Sequence, residues 1–406
     1  MAADDITDDI TDDVIDDVSD LKEQREKQEE KNGLVRIFIV LFLIALAVIA
    51  FLTRHSWYPA IYSAFHGGEQ PPEESSYSDT TGKQGEFPIK IEGGMGYQLL
   101  PMDSALALLD DSKLHIYNLD GKLMNESMHT YANPILRVSP SKALVYDVGG
   151  KYFRLESRYK TIYEKEADDV IYLAEISDKD YVGVVTRSDK YLSTLRIYDE
   201  QNENIFSYFS YDGRITNIAF NKDSTGAVIS VLTAKDGEML STLVRFDFLR
   251  QDPIWVSDPV PTLAMDLRIN SNETISLTGD DLYALFDSNG VLLSRYEYDN
   301  AVKDYASAGG VTAVITENPA LRKTALIEFA DAGTPVVTIL ENGSDDVYIY
   351  NDQVLVLSGD KIKIFSPRGE KMYDAVLEDQ FEKVCRSESY IYLLGYDSIN
   401  RIQIRV

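Results

Sequence analysis

Acidic and histidine side chains are the residues of this chain that could hold a metal ion, provided that their spacing allows it. Asp110, Asp111 and Asp120 lie beside strand-like segments, but they do not form the D-x-D-x-D-G spacing of a calcium loop. Zinc-binding histidine pairs are commonly spaced as H-E-x-x-H or H-x-H, and neither pattern occurs here. The four histidines are His55, His66, His115 and His129. Since aspartate is a common turn residue, the sequence predicts turn aspartates and no metal site.

The sequence also contains no recognisable motif for a catalytic nucleophile or a cofactor-binding loop. The chain has no G-x-S-x-G elbow, no P-loop and no G-x-G-x-x-G turn. The single cysteine, Cys385, cannot form an intramolecular disulfide, and its strand-like surroundings indicate a small buried hydrophobe. The sequence therefore predicts no catalytic residue, no cofactor and a protein that is not an enzyme. A Ser–His–Asp set dispersed along the chain has no fixed spacing, so an enzyme stays as an alternative.

The charge of the chain limits the classes of partner that it can bind. The net charge is −28 over 406 residues. A protein that neutralises nucleic-acid phosphates needs a basic face, so nucleic acid is excluded as a partner. The same charge disfavours broad adhesion to anionic lipid.

One segment is apolar enough to cross a membrane. Residues 37–52 read IFIVLFLIALAVIAFL without a single polar residue. With the flanking residues, about 20 positions are available, which is the length of helix that spans a bilayer core. Trp57 and Tyr58 follow as an aromatic anchor at the interface. We expect a transmembrane helix over residues 34–56.

Basic residues set the orientation of this helix. Those that precede it closely are Lys22, Arg25, Lys27, Lys31 and Arg36, whereas only Arg54 follows within about 20 residues. Because positive residues stay inside, the N-terminus is expected in the cytoplasm and the C-terminal domain outside the cell. The 36 residues before the apolar run are long for a signal peptide, and no A-x-A site follows it. The segment is therefore expected to remain as a signal anchor.

The regions on either side of this helix are acidic. Residues 1–33 contain the repeat DDITDDITDDVIDDVSD, whose dense like charge predicts a disordered cytoplasmic tail. A basic, apolar groove on a partner would fold this repeat as a helix. Residues 57–86 are rich in Pro, Gly, Ser and Glu and predict an extracytoplasmic linker.

From Phe87 onward, short apolar or alternating segments are separated by turn residues, which is typical of β-strands. One unit recurs, a strand that ends in an aromatic residue and a turn, as in KLHIYNLDGK at 113–122. The aromatic residues that align in six units are Tyr117, Tyr198, Phe246, Phe286, Phe329 and Phe365. Weaker copies align Leu155 and a position near Arg405. A repeat of about 40 residues with four strands is typical of a β-propeller.

The number of units predicts an all-β, eight-bladed β-propeller over residues 87–406. Seven blades are the alternative, if the weak second unit is not a blade. The last unit lacks a fourth strand, and a spare strand, FPIKIE at 87–92, precedes the first unit. We expect this strand to complete the last blade, because closure leaves no long exposed edge.

The chain is rich in tyrosine, which offers rigid contact surfaces for peptides or glycans. Many of the 26 tyrosines occupy repeated strand positions, where packing between blades explains them. Tyr131 and Tyr211 fall in loops and are the candidates for an exposed propeller face.

In the strand–aromatic–turn unit, the repeats resemble the quinoprotein-like and WD40-like propellers. The Gly-His and Trp-Asp signature of WD40 repeats is absent, and only Trp57 and Trp255 occur, so the resemblance does not imply a quinone cofactor. The segment IFIVLFLIALAVIAFL followed by the repeats from Phe87 also resembles an uncharacterised family of Gram-positive bacterial membrane proteins. That family has an outer propeller-like domain of unknown function and implies no catalytic residues.

Together these features predict a membrane-anchored extracytoplasmic β-propeller that acts as a protein-binding or scaffolding module at the cell envelope. Its expected partners are the membrane, which it crosses once, an envelope protein or glycan at a propeller face, and a cytoplasmic partner of the acidic tail. One alternative is a propeller hydrolase acting on envelope material, which predicts perturbed carboxylates at the central channel. The other is a transmembrane sensor that couples outer ligand binding to the tail.

Overall fold

The computed structural model describes residues 87–330, 334–340 and 343–404. These lie in one compact unit, Lys83–Val406. The acidic tail, the apolar segment at 37–52 and the linker fall outside the described residues, so their predicted structures stay predictions. None of the described residues forms a helix of the length and hydropathy that a membrane crossing requires.

The described residues form 32 β-strands and no helix. The strands of the first half are β1 (Ile89–Lys90), β2 (Gln98–Met102), β3 (Ala105–Leu109), β4 (Lys113–Asn118), β5 (Leu123–Met128), β6 (Pro134–Val138), β7 (Lys142–Asp147), β8 (Tyr152–Ser157), β9 (Thr161–Glu166), β10 (Ile171–Ile176), β11 (Val182–Thr186), β12 (Ser193–Tyr198), β13 (Asn204–Ser210), β14 (Arg214–Phe220), β15 (Gly226–Lys235) and β16 (Glu238–Asp247).

The strands of the second half are β17 (Trp255–Val256), β18 (Ala264–Ile269), β19 (Ile275–Gly279), β20 (Leu282–Phe286), β21 (Leu292–Glu297), β22 (Ala301–Ala308), β23 (Val311–Asn318), β24 (Lys323–Ala330), β25 (Val336–Leu340), β26 (Asp346–Tyr350), β27 (Gln353–Ser358), β28 (Lys361–Phe365), β29 (Lys371–Val376), β30 (Lys383–Ser387), β31 (Tyr390–Leu394) and β32 (Ser398–Gln403).

These strands make eight antiparallel four-stranded sheets, which are the blades of a propeller. Blades 1 to 7 each take four consecutive strands, from β2–β5 to β26–β29, and blade 8 combines β30–β32 with β1. The first strands of neighbouring blades contact one another around the whole ring and so line a central channel. The prediction of eight blades is confirmed, and the alternative of seven is wrong.

Two faces follow from this topology. The turns between the first and second strands of each blade, such as 103–104 and 388–389, lie on one side, which we call the ab face. The turns between the second and third strands, such as 187–192 and 236–237, lie on the opposite side, which we call the bc face. The loops between consecutive blades also lie on the bc face, because each fourth strand ends there.

The ring closes through the N-terminal strand, as predicted. In β1, Ile89 pairs with Ile399 and Lys90 pairs with Ser398 of β32. The guanidinium of Arg401 lies over the rings of Phe87, at 4.6 Å, and Tyr390, at 4.5 Å. Its Nη1 donates to the carbonyl of Leu119 in blade 1 at 2.8 Å. The first segment, the last blade and the first blade are thereby joined at one place.

The aligned aromatic residues hold neighbouring blades together. All six are buried near the end of the third strand, where they pack against the preceding blade. In five blades a β-bulge, which shifts the register of a strand pair by one residue, places this position opposite the start of the fourth strand.

That bulge corrects the alignment of the second unit. In blade 2 the register shift lies between Leu155 and Glu156, so Glu156, not Leu155, takes the aromatic position. Leu155 instead packs toward blade 3. In blade 8 the corresponding residue is Ile402, which packs against blade 7, and Arg405 lies outside the described residues.

Candidate functional site

The aspartates noted in the sequence act as turn residues. Oδ1 of Asp110 accepts the backbone N–H groups of Ser112 and Lys113, each at 2.7 Å, and its Oδ2 lies 2.9 Å from Nε2 of His115. Burial raises the pKa of Asp110, but these hydrogen bonds outweigh it and lower the pKa below its usual value. Asp120 lies exposed in the turn after β4, 3.4 Å from Arg401 Nη1.

Histidine and cysteine side chains have structural contacts. Nδ1 of His115 lies 3.3 Å from Oε2 of Glu126. His129 is buried, its Nε2 is 3.2 Å from the carbonyl of Asp110, and burial lowers its pKa. Cys385 is buried between blades 8 and 1, which raises the pKa of its thiol. Within the residues that the structure describes, no three His, Cys, Asp or Glu side chains are grouped to hold a metal ion.

The two loop tyrosines differ in their exposure to solvent. Tyr131 is only 7% exposed, and its hydroxyl donates to Oε1 of Glu164 at 2.7 Å. Its placement on an exposed face was therefore wrong, because the ring fills the junction between blades 1 and 2. Tyr211 is 68% exposed, between β13 and β14 on the bc face, where the prediction placed it.

Tyr211 belongs to a cluster that sequence reasoning missed. The ring of Tyr191 lies 4.7 Å from that of Tyr211 and 4.8 Å from that of Phe209. Leu192, beside them, is half exposed, as is Phe209. We call Tyr191, Leu192, Phe209 and Tyr211 the aromatic patch. The run YFSY at 208–211 could have indicated the aromatic patch. A fourth strand needs only one apolar face, so neighbouring aromatic residues at its end leave some rings exposed.

A long hairpin supports the aromatic patch. Strands β15 and β16 have ten residues each, longer than the five to seven of most other strands, so their turn at 236–237 projects from the bc face. A Cβ atom on Gly213 would lie 2.5 Å from Cγ1 of Val231 and 2.6 Å from the carbonyl oxygen of Leu232. The loop that carries Tyr211 is therefore pressed against this hairpin, whose Met239 is also exposed.

Charged residues line the central channel. Nε of Arg137 in β6 lies 3.1 Å from Oε2 of Glu175 in β10. Nζ of Lys383 in β30 lies 2.8 Å from Oδ1 of Asp346 in β26. Burial raises the pKa of Glu175, although Arg137 opposes it, and raises that of Asp346 to about 6, although Lys383 opposes it.

Perturbed carboxylates at the channel are what the hydrolase alternative predicted, but their contacts favour a structural role. Asp304 accepts the backbone N–H of Val347 at 3.0 Å, and Asp346 accepts that of Val384 at 2.8 Å. Each acceptor is thus bonded to the first strand of the next blade. Such bonds hold neighbouring blades in register and occupy the oxygens that a general acid or base would use.

A cavity of about 280 Å³ opens on the ab face. It lies at the ends of the first strands of blades 7, 8, 1 and 2. Its lining residues are Pro101, Met102, Asp103, Val138, Ser139, Pro140, Tyr348, Tyr350, Arg386, Ser387 and Glu388. The aromatic patch and this cavity therefore lie on opposite faces of the propeller.

Solved structures of other proteins align with this chain. BamB from Moraxella catarrhalis aligns with a TM-score of 0.52 and 14% identity, over 77% of this chain and 95% of that one. Apo AztD from Citrobacter koseri aligns with a TM-score of 0.49 and 13% identity, over 70% of this chain and 87% of that one. At this identity the likeness to BamB concerns the fold alone. A comparison with curated proteins finds no match.

The propeller region also matches a protein family. The match covers residues 82–404, most of the chain, and the family is described as one of unknown function. This confirms the expected membership of a family without assigned function, whereas the Gram-positive membrane origin stays a prediction. By this match, the chain belongs to the family of unknown function DUF5711.

Proposed function

We propose that this protein is a membrane-anchored, extracytoplasmic β-propeller whose bc face binds another protein at the cell envelope. The aromatic patch is the observation that carries this proposal. Single exposed apolar side chains are ordinary, but contiguous ones mark interaction sites on soluble domains. Here three aromatic rings and Leu192 are contiguous and lie beside the projecting hairpin of blade 4.

The composition of the aromatic patch favours a protein as the partner. Tyrosine is enriched among the residues that dominate protein–protein binding energy, because a ring offers a large contact area with few rotatable bonds. The close approach of Gly213 to β15 fixes the loop in place, so little conformational entropy is lost when a partner binds.

The N-terminal segments are the basis for the proposed location of the protein. The apolar run at 37–52 and the basic residues before it support a single crossing with the N-terminus in the cytoplasm. In that arrangement the linker at 57–86 connects the membrane segment to the propeller. The acidic tail is then available to a cytoplasmic partner.

Photo-crosslinking tests the binding role. With p-benzoylphenylalanine in place of Tyr211, irradiation of intact cells is expected to give a discrete protein adduct on full-length protein at its native expression level. Tyr159 is the matched control, because it is an exposed tyrosine in a turn of the ab face. The adduct at position 211 is expected to be absent at position 159.

Two results would count against this function. Equal adducts at both positions would mean that the bc face has no special role. Adducts at position 211 that contain only glycan would replace the protein partner with a carbohydrate.

A further inference from the structure

The cavity on the ab face is lined by apolar and by polar side chains in nearly equal measure. Blades 1 and 2 contribute Pro101, Met102, Val138 and Pro140, and blade 7 contributes Tyr348 and Tyr350. In sites for small ligands, apolar surface supplies contact area and polar groups fix orientation, and this lining offers both.

Arg386 is held in a fixed orientation at this cavity. Its guanidinium lies 5.1 Å from the centre of the Tyr350 ring. Nη1 donates to Oε1 of Gln353 at 2.6 Å, and Nε donates to the carbonyl of Glu388 at 3.2 Å. The hydroxyl of Tyr350 accepts the backbone N–H of Glu388 at 2.9 Å, which fixes the ring beneath the guanidinium.

This arginine has no acidic counterpart. Among residues 87–404, apart from the two short gaps, no carboxylate lies within ion-pair distance of Arg386, and its Nη2 donates to none of them. Burial lowers the pKa of Arg386, as expected for a cation that has lost water without gaining an anion. The cavity therefore presents a partly desolvated guanidinium with no carboxylate of the described residues beside it.

Two carboxylates line the same cavity. Asp103 and Glu388 are exposed, and neither takes part in an ion pair within the described part of the chain. Glu388 adopts a left-handed backbone conformation with φ of 52° in the turn after β30, a conformation that costs free energy for a residue other than glycine. The cavity thus holds one unpaired cation and two unpaired anions.

We propose that this cavity binds a free α-amino acid with an apolar side chain, its carboxylate on Arg386 and its ammonium group on Asp103 or Glu388. The side chain lies against Pro101, Met102, Val138 and Pro140. A guanidinium binds a carboxylate through two parallel hydrogen bonds when two of its N–H groups are available. A volume of about 280 Å³ has room for one free amino acid. This site is independent of the bc face and goes beyond the protein-binding function.

The methyl group of Met102 provides the test. Met102 is buried in the cavity wall, whereas Met239 lies on the hairpin of the bc face. Full-length protein in detergent, labelled with ¹³C on the methionine methyl groups, is titrated with L-leucine. The Met102 signal, assigned from its loss in Met102→Leu, is expected to shift saturably while the Met239 signal stays in place.

Ligand derivatives and variants test the proposed contacts of the carboxylate and the ammonium group one at a time. N-acetyl-leucine lacks the ammonium group and leucinamide lacks the carboxylate, so each is expected to bind roughly tenfold or more weakly than leucine. Arg386→Gln is expected to abolish the leucine-dependent shift. Arg368→Gln, an exposed arginine on the same face but outside the cavity, is expected to leave it unchanged.

Three outcomes would overturn the proposal. They are no Met102 shift at millimolar leucine, equal binding of leucine and either derivative, and unchanged binding in Arg386→Gln. If Arg386→Gln fails to fold, as the other methionine signals would report, the ligand series on the unaltered protein still decides. None of these outcomes bears on crosslinking at Tyr211, so the two proposals fail separately.

Discussion

Replacing Ile89 with aspartate is expected to open the ring and lower the free energy of unfolding by about 3–5 kcal/mol. Ile89 is 9% exposed and packs with Tyr117 and Tyr392 at the junction of blades 1 and 8. β1 pairs with β32 through two residues, and the N–H of Ile91 donates to the carbonyl of Asp397 just beyond them. Because this strand is so short, the fourth strand of blade 8 depends on the contact of Ile89. A carboxylate at position 89 would lose the apolar contact and would be buried without a partner.

Lys90→Asp is the control for this change. Lys90 neighbours Ile89 in the strand but points to solvent, and its exposed ion pair with Asp397 at 3.3 Å contributes at most about 1 kcal/mol. Urea unfolding of both variants gives the comparison, and amide hydrogen exchange in β32 is expected to accelerate in Ile89→Asp alone. Equal stabilities of the two variants would contradict closure through β1.

Glu328→Gln is expected to stabilise the protein above neutral pH by about 2 kcal/mol and to reduce the dependence of its stability on pH. Glu328 in β24 is fully buried, and neither of its carboxylate oxygens has a hydrogen-bond partner among the described residues. Burial raises its pKa to about 7. The unfolded chain has the ordinary glutamate pKa of about 4.5.

The sign of the effect follows from proton binding. Between these two pKa values the folded state keeps a proton that the unfolded state releases, so the stability of the folded protein falls as the pH rises from about 4.5 to 7. Above that window the folded state carries the full cost of a buried, unpaired charge. Glutamine keeps the shape of the side chain and removes the charge, but its amide group also lacks a partner, so the gain is smaller than the whole cost.

Unfolding free energies in urea at pH 5, 6, 7 and 8 measure this effect. Part of the slope is expected to remain in Glu328→Gln, because burial also raises the pKa of Asp346 to about 6. Glu238→Gln, at an exposed position in the hairpin of blade 4, is expected to change little. If Glu328→Gln has the same slope as the unaltered protein, Glu328 is ionised in the folded state throughout this range.

The fold was predictable because one physical requirement recurs in every blade. Neighbouring sheets pack face to face, so an apolar residue is needed at the same point of each third strand, and aromatic residues fill it in six blades. Blade 2 departs from this rule. There Glu156 takes the position, with Arg154 Nε 3.2 Å from its Oε1 and Thr161 donating at 2.9 Å. Because a charged pair replaces the aromatic ring, the sequence of this unit resembles the other repeats only weakly.

The sites were less predictable because they combine residues that are distant in the chain. The cavity brings Met102 and Val138 together with Tyr350 and Arg386, which only the closed ring makes neighbours. Tyr131 and Tyr211 both lie in loops between blades, yet one is buried and the other exposed. The difference depends on the residues of the adjacent blade, which a local pattern does not contain.

Cysteine labelling in intact cells tests the central claim, that the propeller lies outside the cell with its bc face covered by a protein. The only native cysteine, Cys385, is buried, so a membrane-impermeant maleimide reports on introduced cysteines. Leu249→Cys, at a 93% exposed position of the ab face, is expected to react in cells as fast as in purified protein. Tyr211→Cys is expected to react several-fold more slowly in cells than when purified, and Asp8→Cys only after permeabilisation. Labelling of Asp8→Cys in intact cells, or equal rates for Tyr211→Cys in both settings, would contradict the account.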